Sequence, residues 1–216
     1  MIDRVELDER SRVVCLGIGS DGQKVPLGLW QGSTENQSVA TALLSDLQER
    51  GLDPSRPLLV VIDGAKALRK AVRAALGEAT PVQRCVRHKE RNVIDHLPER
   101  ERPWIRARLR AAWADEDHAR ALASLKALAR QLEKSNPSAA ASLREGMEET
   151  LAVTRPGVTR TLKRTLQSTN PIESMIEIVR PTQRNVKRWR DGDTRRTAAG
   201  AAAEVPRRTG HPRAPR

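Results

Sequence analysis

The sequence predicts an α/β protein: a mixed sheet with flanking helices and an all-helical insertion. Three features predict it. β-Rich runs separated by a turn open the chain, amphipathic helices then alternate with apolar strands as far as residue 85, and from about Pro98 to Gly146 only helical periodicity continues.

Ile2 to Leu7 alternates apolar and polar residues and reads as the first strand. Val13 to Ile18 and Val25 to Trp30 are the next two, and Ser20-Asp21-Gly22-Gln23 between them carries the Asp-Gly pair that marks a hairpin. Three antiparallel strands therefore open the domain. Thr34-Glu35-Asn36-Gln37 fits a capping box, after which Val39, Leu43, Leu44 and Leu47 form one helical stripe that stops at Gly51. Leu58-Leu59-Val60-Val61-Ile62 is continuously apolar, as in a strand covered on both faces, and Asp63-Gly64 ends it. A second helix places Leu68, Val72 and Leu76 inward and stops at Gly77, and Val82 to Cys85 is a short fifth strand. The order β-β-β-α-β-α-β is that of a ribonuclease-H-like fold, in which the first strand lies beside the fourth. Further on, Leu122, Leu125, Leu128 and Leu132 share one helical face, and Trp104 and Trp113 are expected in the same core. The expected organisation is a first part of the ribonuclease-H-like core over residues 1–97, a helical insertion over 98–165, a returning helix over 166–193 and a disordered basic tail over 194–216.

The 216 residues carry 39 Lys or Arg against 27 Asp or Glu, a net charge of +12 that favours polyanions and makes nucleic acid the first partner to consider. Residues 187–216 hold nine basic and three acidic side chains, so half of that charge sits in the tail. No apolar run reaches the length of a membrane span or a signal-peptide core, and Cys15 and Cys85 are too few for a disulfide scaffold. A cytoplasmic protein without membrane contact is expected.

Asp63 ends the apolar strand, where open α/β sheets place their ligands, but it equally suits a turn residue capping the helix that starts near Lys66. Asp3 reaches the same crevice if the first and fourth strands are neighbours; taken alone, it is a solvated residue near the chain start. In Ser168-Thr169-Asn170-Pro171-Ile172-Glu173, Asn170 reads as the N-cap, Pro171 as the first helical residue and Glu173 as a capping-box acid. A carboxylate there also suits a metal ligand. Phosphodiester cleavage needs an activated water or 3′-hydroxyl and a stabilised leaving oxygen. Two Mg²⁺ ions about 3.5–4 Å apart supply both, and carboxylate oxygens suit Mg²⁺.

Three stretches then stand in order: Ile62-Asp63-Gly64-Ala65-Lys66-Ala67-Leu68-Arg69-Lys70-Ala71, Val82-Gln83-Arg84-Cys85-Val86-Arg87-His88-Lys89-Glu90-Arg91-Asn92, and Ser168 to Ser174, followed by Trp189-Arg190-Asp191-Gly192-Asp193. Together they closely resemble the mutator-type (IS256-like) bacterial insertion-sequence transposases over roughly residues 1–193. The resemblance implies a DDE-type catalytic domain with Asp63 as the second acid, Glu173 as the third and Asp3 as the first, although Arg4 stands where such proteins commonly have Gly. It implies Mg²⁺ or Mn²⁺ as cofactor, DNA of element ends and target as partners, and a homo-oligomer assembled on DNA. Cys85-x-x-His88 matches the family signature thought to support the active site; a single such pair falls short of the four ligands of a zinc site. Arg184, Lys187, Arg188, Trp189 and Arg190 mix cations with an indole, suited to phosphate contact and base stacking, or equally to a solvated basic helix with the indole packed inward.

Members of that family normally carry an N-terminal region of helix-turn-helix character and continue in helical sequence past the Asp-Gly-Asp stretch. Here the sequence reads as an internal start with a frameshift soon after Asp193, and Pro181 is expected to interrupt the helix carrying Glu173. The expected function is metal-dependent DNA cleavage and strand transfer at insertion-sequence ends. The alternatives are an inactive remnant that only binds DNA and a ribonuclease-H-like repair nuclease, which shares the acids but not the three stretches together.

Overall fold

The computed structural model describes residues 1–7, 10–33, 36–154 and 160–183. β1 (Ile2–Leu7), β2 (Arg10–Ile18) and β3 (Lys24–Gln31) form an antiparallel meander, and its second turn is closed by the Asp21 carboxylate accepting the Gln23 amide at 2.9 Å. β4 (Val60–Ile62) pairs in parallel with β1, and β5 (Val82–Arg84) in parallel with β4, giving a mixed five-stranded sheet in the order β3-β2-β1-β4-β5. β4 is shorter than its apolar run. Val60 lies opposite Val82, so the next ladder position falls on Pro81, which has no amide hydrogen to extend the pairing.

Both faces of the sheet are covered. Along β2, Val13 and Cys15 point to one face, where they pack with Ile2, Ile62 and the apolar stripes of α1 (Gln37–Glu49) and α2 (Lys66–Leu76). Val14 and Leu16 point to the other and meet Ile172 and Ile176 of α8 (Asn170–Gln183). The cap of α1 is Asn36, whose side-chain oxygen accepts the Ser38 and Val39 amides at 3.0 and 3.4 Å; Thr34, the cap expected from the sequence, lies outside the described residues. α8 runs on through Pro181 to Gln183 without the expected interruption. The proline forfeits one bond, to the carbonyl of residue 177, and leaves the first turns around Glu173 intact.

The remaining helices surround a core of their own. α3 (Val86–Ile94), α4 (Arg102–Ala114), α5 (His118–Ser135), α6 (Pro137–Arg144) and a 3₁₀ segment (Glu148–Thr154) bury Ile105, Leu109, Leu125, Leu128, Leu132 and Leu143, and α7 (Arg160–Leu166) leads back to α8. Trp113 is buried there, its indole N–H donating to the Thr150 hydroxyl at 3.0 Å. Trp104, expected in that core, is instead 45% exposed with the Arg108 guanidinium 5.5 Å from its ring centre. The inward stripe of α4 is Ile105, Leu109, Ala112 and Trp113, and Trp104 falls one residue out of phase with it. Leu122 is only partly buried, at the edge of its stripe. Among the described residues no helix is long and apolar enough to cross a membrane.

Gln83, fully buried on β5, joins the sheet to the helical core. Its amide nitrogen donates to the Thr150 carbonyl at 2.9 Å and its oxygen accepts the Val153 amide at 3.0 Å, so the 3₁₀ segment covers the β5 edge. Gln83→Leu keeps the bulk but strands both buried partners. It is expected to lower stability by about 2–4 kcal/mol in urea unfolding, against about 1 kcal/mol for Gln48→Leu, whose amide makes one partly buried bond to the Ala75 carbonyl.

Candidate active site

Because β1 and β4 run parallel with Ile2 opposite Ile62, Asp3 and Asp63 stand level on neighbouring strands. Ile2 and Ile62 point into the α1/α2 core, so by the alternation of side chains Asp3 and Asp63 turn to the face that α8 covers. Asp3 is 2% exposed and accepts the Arg4 amide at 2.9 Å. Burial pushes its carboxyl up to about 6, opposed by a hydrogen bond from Thr169 and the charge of His88 and reinforced by the neighbouring charge of Asp63. Asp63 also closes the turn into α2 by accepting the Ala65 amide at 2.9 Å. Its turn role and its place in the crevice therefore coexist.

Cys85 directly follows β5, and its amide donates to the Ile62 carbonyl at 2.8 Å, next to Asp63. The Cys85 sulfur accepts the Thr169 amide and hydroxyl at 3.4 and 3.5 Å. Burial pushes the thiol up, but hydrogen bonding and charge from His88, with Thr169, outweigh it and leave it below its ordinary value. The same hydrogen bond to Cys85 lifts His88 to about 9 against the effect of burial, with the charges of Cys85, Asp3 and Asp63 contributing. Cys85 and His88 thus place a cation beside two carboxylates.

Thr169, fully buried, is a site residue that the sequence did not single out. α8 starts at Asn170, and the Thr169 carbonyl accepts the Ile172 and Glu173 amides at 2.9 and 3.4 Å, so Thr169 takes the cap position expected for Asn170. Its hydroxyl, tied to Asp3 and Cys85, draws the chain into the helix one residue early. Glu173 lies on the exposed side of the first turn of α8, one turn beyond Thr169. The structure brings Asp3, Asp63, Cys85 and His88 together, while among the described residues no three acidic, histidine or cysteine side chains converge as a complete metal-ligand set. The carboxylates of Asp3 and Asp63, level at neighbouring strand ends, nonetheless offer the hard oxygen donors that Mg²⁺ prefers. Arg184, Lys187, Arg188, Trp189 and Arg190 lie outside the described residues.

Beside Asp63 opens a cavity of about 440 Å³ whose walls include Lys66, Arg84, His88, Asn92 and Glu145. Arg84 runs between Gly64 and Gly146, where a Cβ on either glycine would collide with its guanidinium. Both glycines have positive φ, 108° and 63°, so no L side chain sits there without strain. Arg84 donates to the Glu145 carbonyl and carboxylate at 3.2 and 3.3 Å. Lys89, fully buried, donates to the Ser142 carbonyl at 2.6 Å, and burial, with the nearby charge of Arg84, lowers it to about 8. A buried lysine and its distant acid have no sequence signature, which is why Lys89 and Glu145 were not foreseen.

The model of the family described as "Transposase, Mutator family" matches residues 4–194 of the chain. The transposase for insertion sequence element IS6120 of Mycolicibacterium smegmatis is 30% identical over 177 residues, covering 82% of this chain and 53% of the relative. The transposase for IST2 of Acidithiobacillus ferrooxidans is 31% identical over 168 residues, covering 78% and 55%. The transposase for IS256 in transposon Tn4001 of Staphylococcus aureus is 26% identical over 191 residues, covering 85% and 47%. The chain spans about half the length of these curated relatives.

Lys89 loses its proton at about 8 in the folded chain against an ordinary value of 10.5. Between those values the unfolded chain binds the proton that the folded chain has released, so this group makes stability rise with pH over that interval. In urea unfolding the wild type is expected to gain stability relative to Lys89→Met from about pH 8 to 10.5, with a constant difference below pH 7. Identical pH profiles for the two proteins would rule out the shifted lysine.

Proposed function

Because the chain belongs to the mutator family of transposases, we propose that it is the catalytic part of a DNA transposase that cleaves and joins DNA at insertion-sequence ends. The observation that carries this reading is the placement of Asp3, buried on β1 under the start of α8, level with the half-buried Asp63 at the end of the adjacent parallel strand β4. The strand order β3-β2-β1-β4-β5, with a three-stranded meander followed by parallel strands joined through α2, supports a ribonuclease-H-like fold.

Asp3 and Asp63, joined by Glu173, are the residues that would hold Mg²⁺ or Mn²⁺, which when bound supplies the acidity that activates a water or 3′-hydroxyl and steadies the leaving oxygen. The rest of the site orients these acids. The Thr169 hydroxyl fixes Asp3, and Glu173 stands one turn beyond Thr169 at the start of α8. His88, held by Cys85, offsets the carboxylate charge in the absence of cations. The partners are DNA of the element ends and target, and further copies of the chain assembled on that DNA. The exposed position of Glu173, outside a complete ligand set, favours a second reading in which the chain binds DNA without cleaving it.

Incubation of the purified chain with DNA from the ends of its element, in Mg²⁺ or Mn²⁺, separates the two. The wild type is expected to nick the DNA, and Asp3→Ala, Asp63→Ala and Glu173→Ala each to reduce nicking by about 100-fold or more. Nicking that survives all three substitutions would refute the site, and salt-sensitive binding without nicking in the wild type would establish the second reading.

A further inference from the structure

The cavity beside Asp63 is lined by Lys66 and Arg84, which with the buried Lys89 converge on one carboxylate. Arg84, Lys66 and Lys89 all face the single carboxylate of Glu145, at 3.3, 3.8 and 3.6 Å. These are long for charge-assisted hydrogen bonds, which settle near 2.7–2.9 Å when optimal. The Arg84 side chain is only 8% exposed, and its Nε is buried without a hydrogen-bond partner among the described residues. A buried guanidinium with an unfilled donor is costly unless another group completes it. Gly64 lets that Nε lie against the backbone, since a Cβ there would collide with it, and leaves the Nη atoms turned toward Glu145. Glu145, by contrast, is 45% exposed and has solvent to swing into.

We propose that this cavity is a phosphate pocket: a backbone phosphodiester of the DNA strand led to Asp3 and Asp63 is held by Arg84 and Lys66, in the place that the Glu145 carboxylate occupies until DNA displaces it. The proposal rests on the transposase reading and adds to it a specific anchor. The planar guanidinium of Arg84 presents donors matched to two phosphate oxygens. Lys66, at the first position of α2, is 82% exposed and free to follow the strand. Lys89 is too deeply buried to touch a ligand and adds positive potential through its approach to Glu145. Asn92 contributes an amide to the wall. Glu145 then acts as a competing anion, so its removal strengthens DNA binding, the opposite of what a merely structural partner of Arg84 would do.

Fluorescence anisotropy of a short labelled DNA duplex, titrated with the full chain in EDTA over a salt series, tests this without any cleavage. Arg84→Gln is expected to weaken binding about tenfold and to flatten the slope of log K against log salt by about 0.9, Lys66→Gln to weaken it about threefold, and Glu145→Gln to tighten it about threefold. Thermal melts establish that each variant is folded. Lys66 is on the surface, so Lys66→Gln remains a fair test even if Arg84→Gln fails to fold. Unchanged or weaker binding by folded Glu145→Gln, or unchanged binding by Lys66→Gln, overturns the pocket and leaves the transposase reading standing. A wild type that fails to bind DNA at low salt overturns both.

Discussion

Within seven residues, Gln83, Arg84 and Lys89 bury an amide, a guanidinium and an ammonium, and each must find its partners inside the protein because water is excluded from it. Those partners lie far along the chain. Gln83 reaches Thr150 and Val153, Arg84 reaches Glu145, and Lys89 reaches Ser142. Cys85, between them, receives the Thr169 amide and hydroxyl. One short segment thereby fastens the helical core to the edge of the sheet and sets the entry of α8. Removing any one partner leaves a buried polar group unsatisfied, so the three parts of the structure are held in mutual register by the cost of misplacing them.

The carboxylate pair depends on that arrangement and on one ladder contact. β1 meets β4 only at Ile2 and Ile62, and a shift of one residue would turn Asp3 toward the apolar face packed by α1 and α2. With the observed register, Asp3 is brought under the start of α8 and loses water, with the half-buried Asp63 beside it. Burial accordingly raises Asp3, and the cationic His88, itself stabilised by Cys85, stands where it moderates the pair. Such a site is built against the interest of stability, as expected where charge is stored for a ligand rather than for the fold. Under the proposed function that charge is kept for a metal ion and DNA, and the cations around Glu145 extend the charged region from the acids to their immediate neighbourhood.

Much of the secondary structure was legible because short-range rules decide it. The alternation in Ile2–Leu7, the Asp21-Gly22 turn and the stripes of α1 and α2 all recur in the structure at their expected places. The deviations have local causes that periodicity does not register: Pro81 shortens β4, and Trp104 is one residue out of phase with the buried face of α4. At the site, the Asp63 turn and the neighbouring place of Asp3 followed from strand order, and Cys85 and His88 from a motif.

By itself, then, the sequence determined the order of strands and helices, the positions of Asp3, Asp63, Cys85, His88 and Glu173 at element ends, and membership of a transposase family, since each is written in contiguous residues. Only the tertiary structure decided that Thr169 ties α8 to Asp3 and Cys85, that Glu173 stands on the exposed side of its helix, and that Arg84 meets a carboxylate 61 residues away. The physical reason is that burial and charge pairing are properties of residues distant in the chain. A cation in a motif reads as a surface residue until the fold closes over it and supplies the acid.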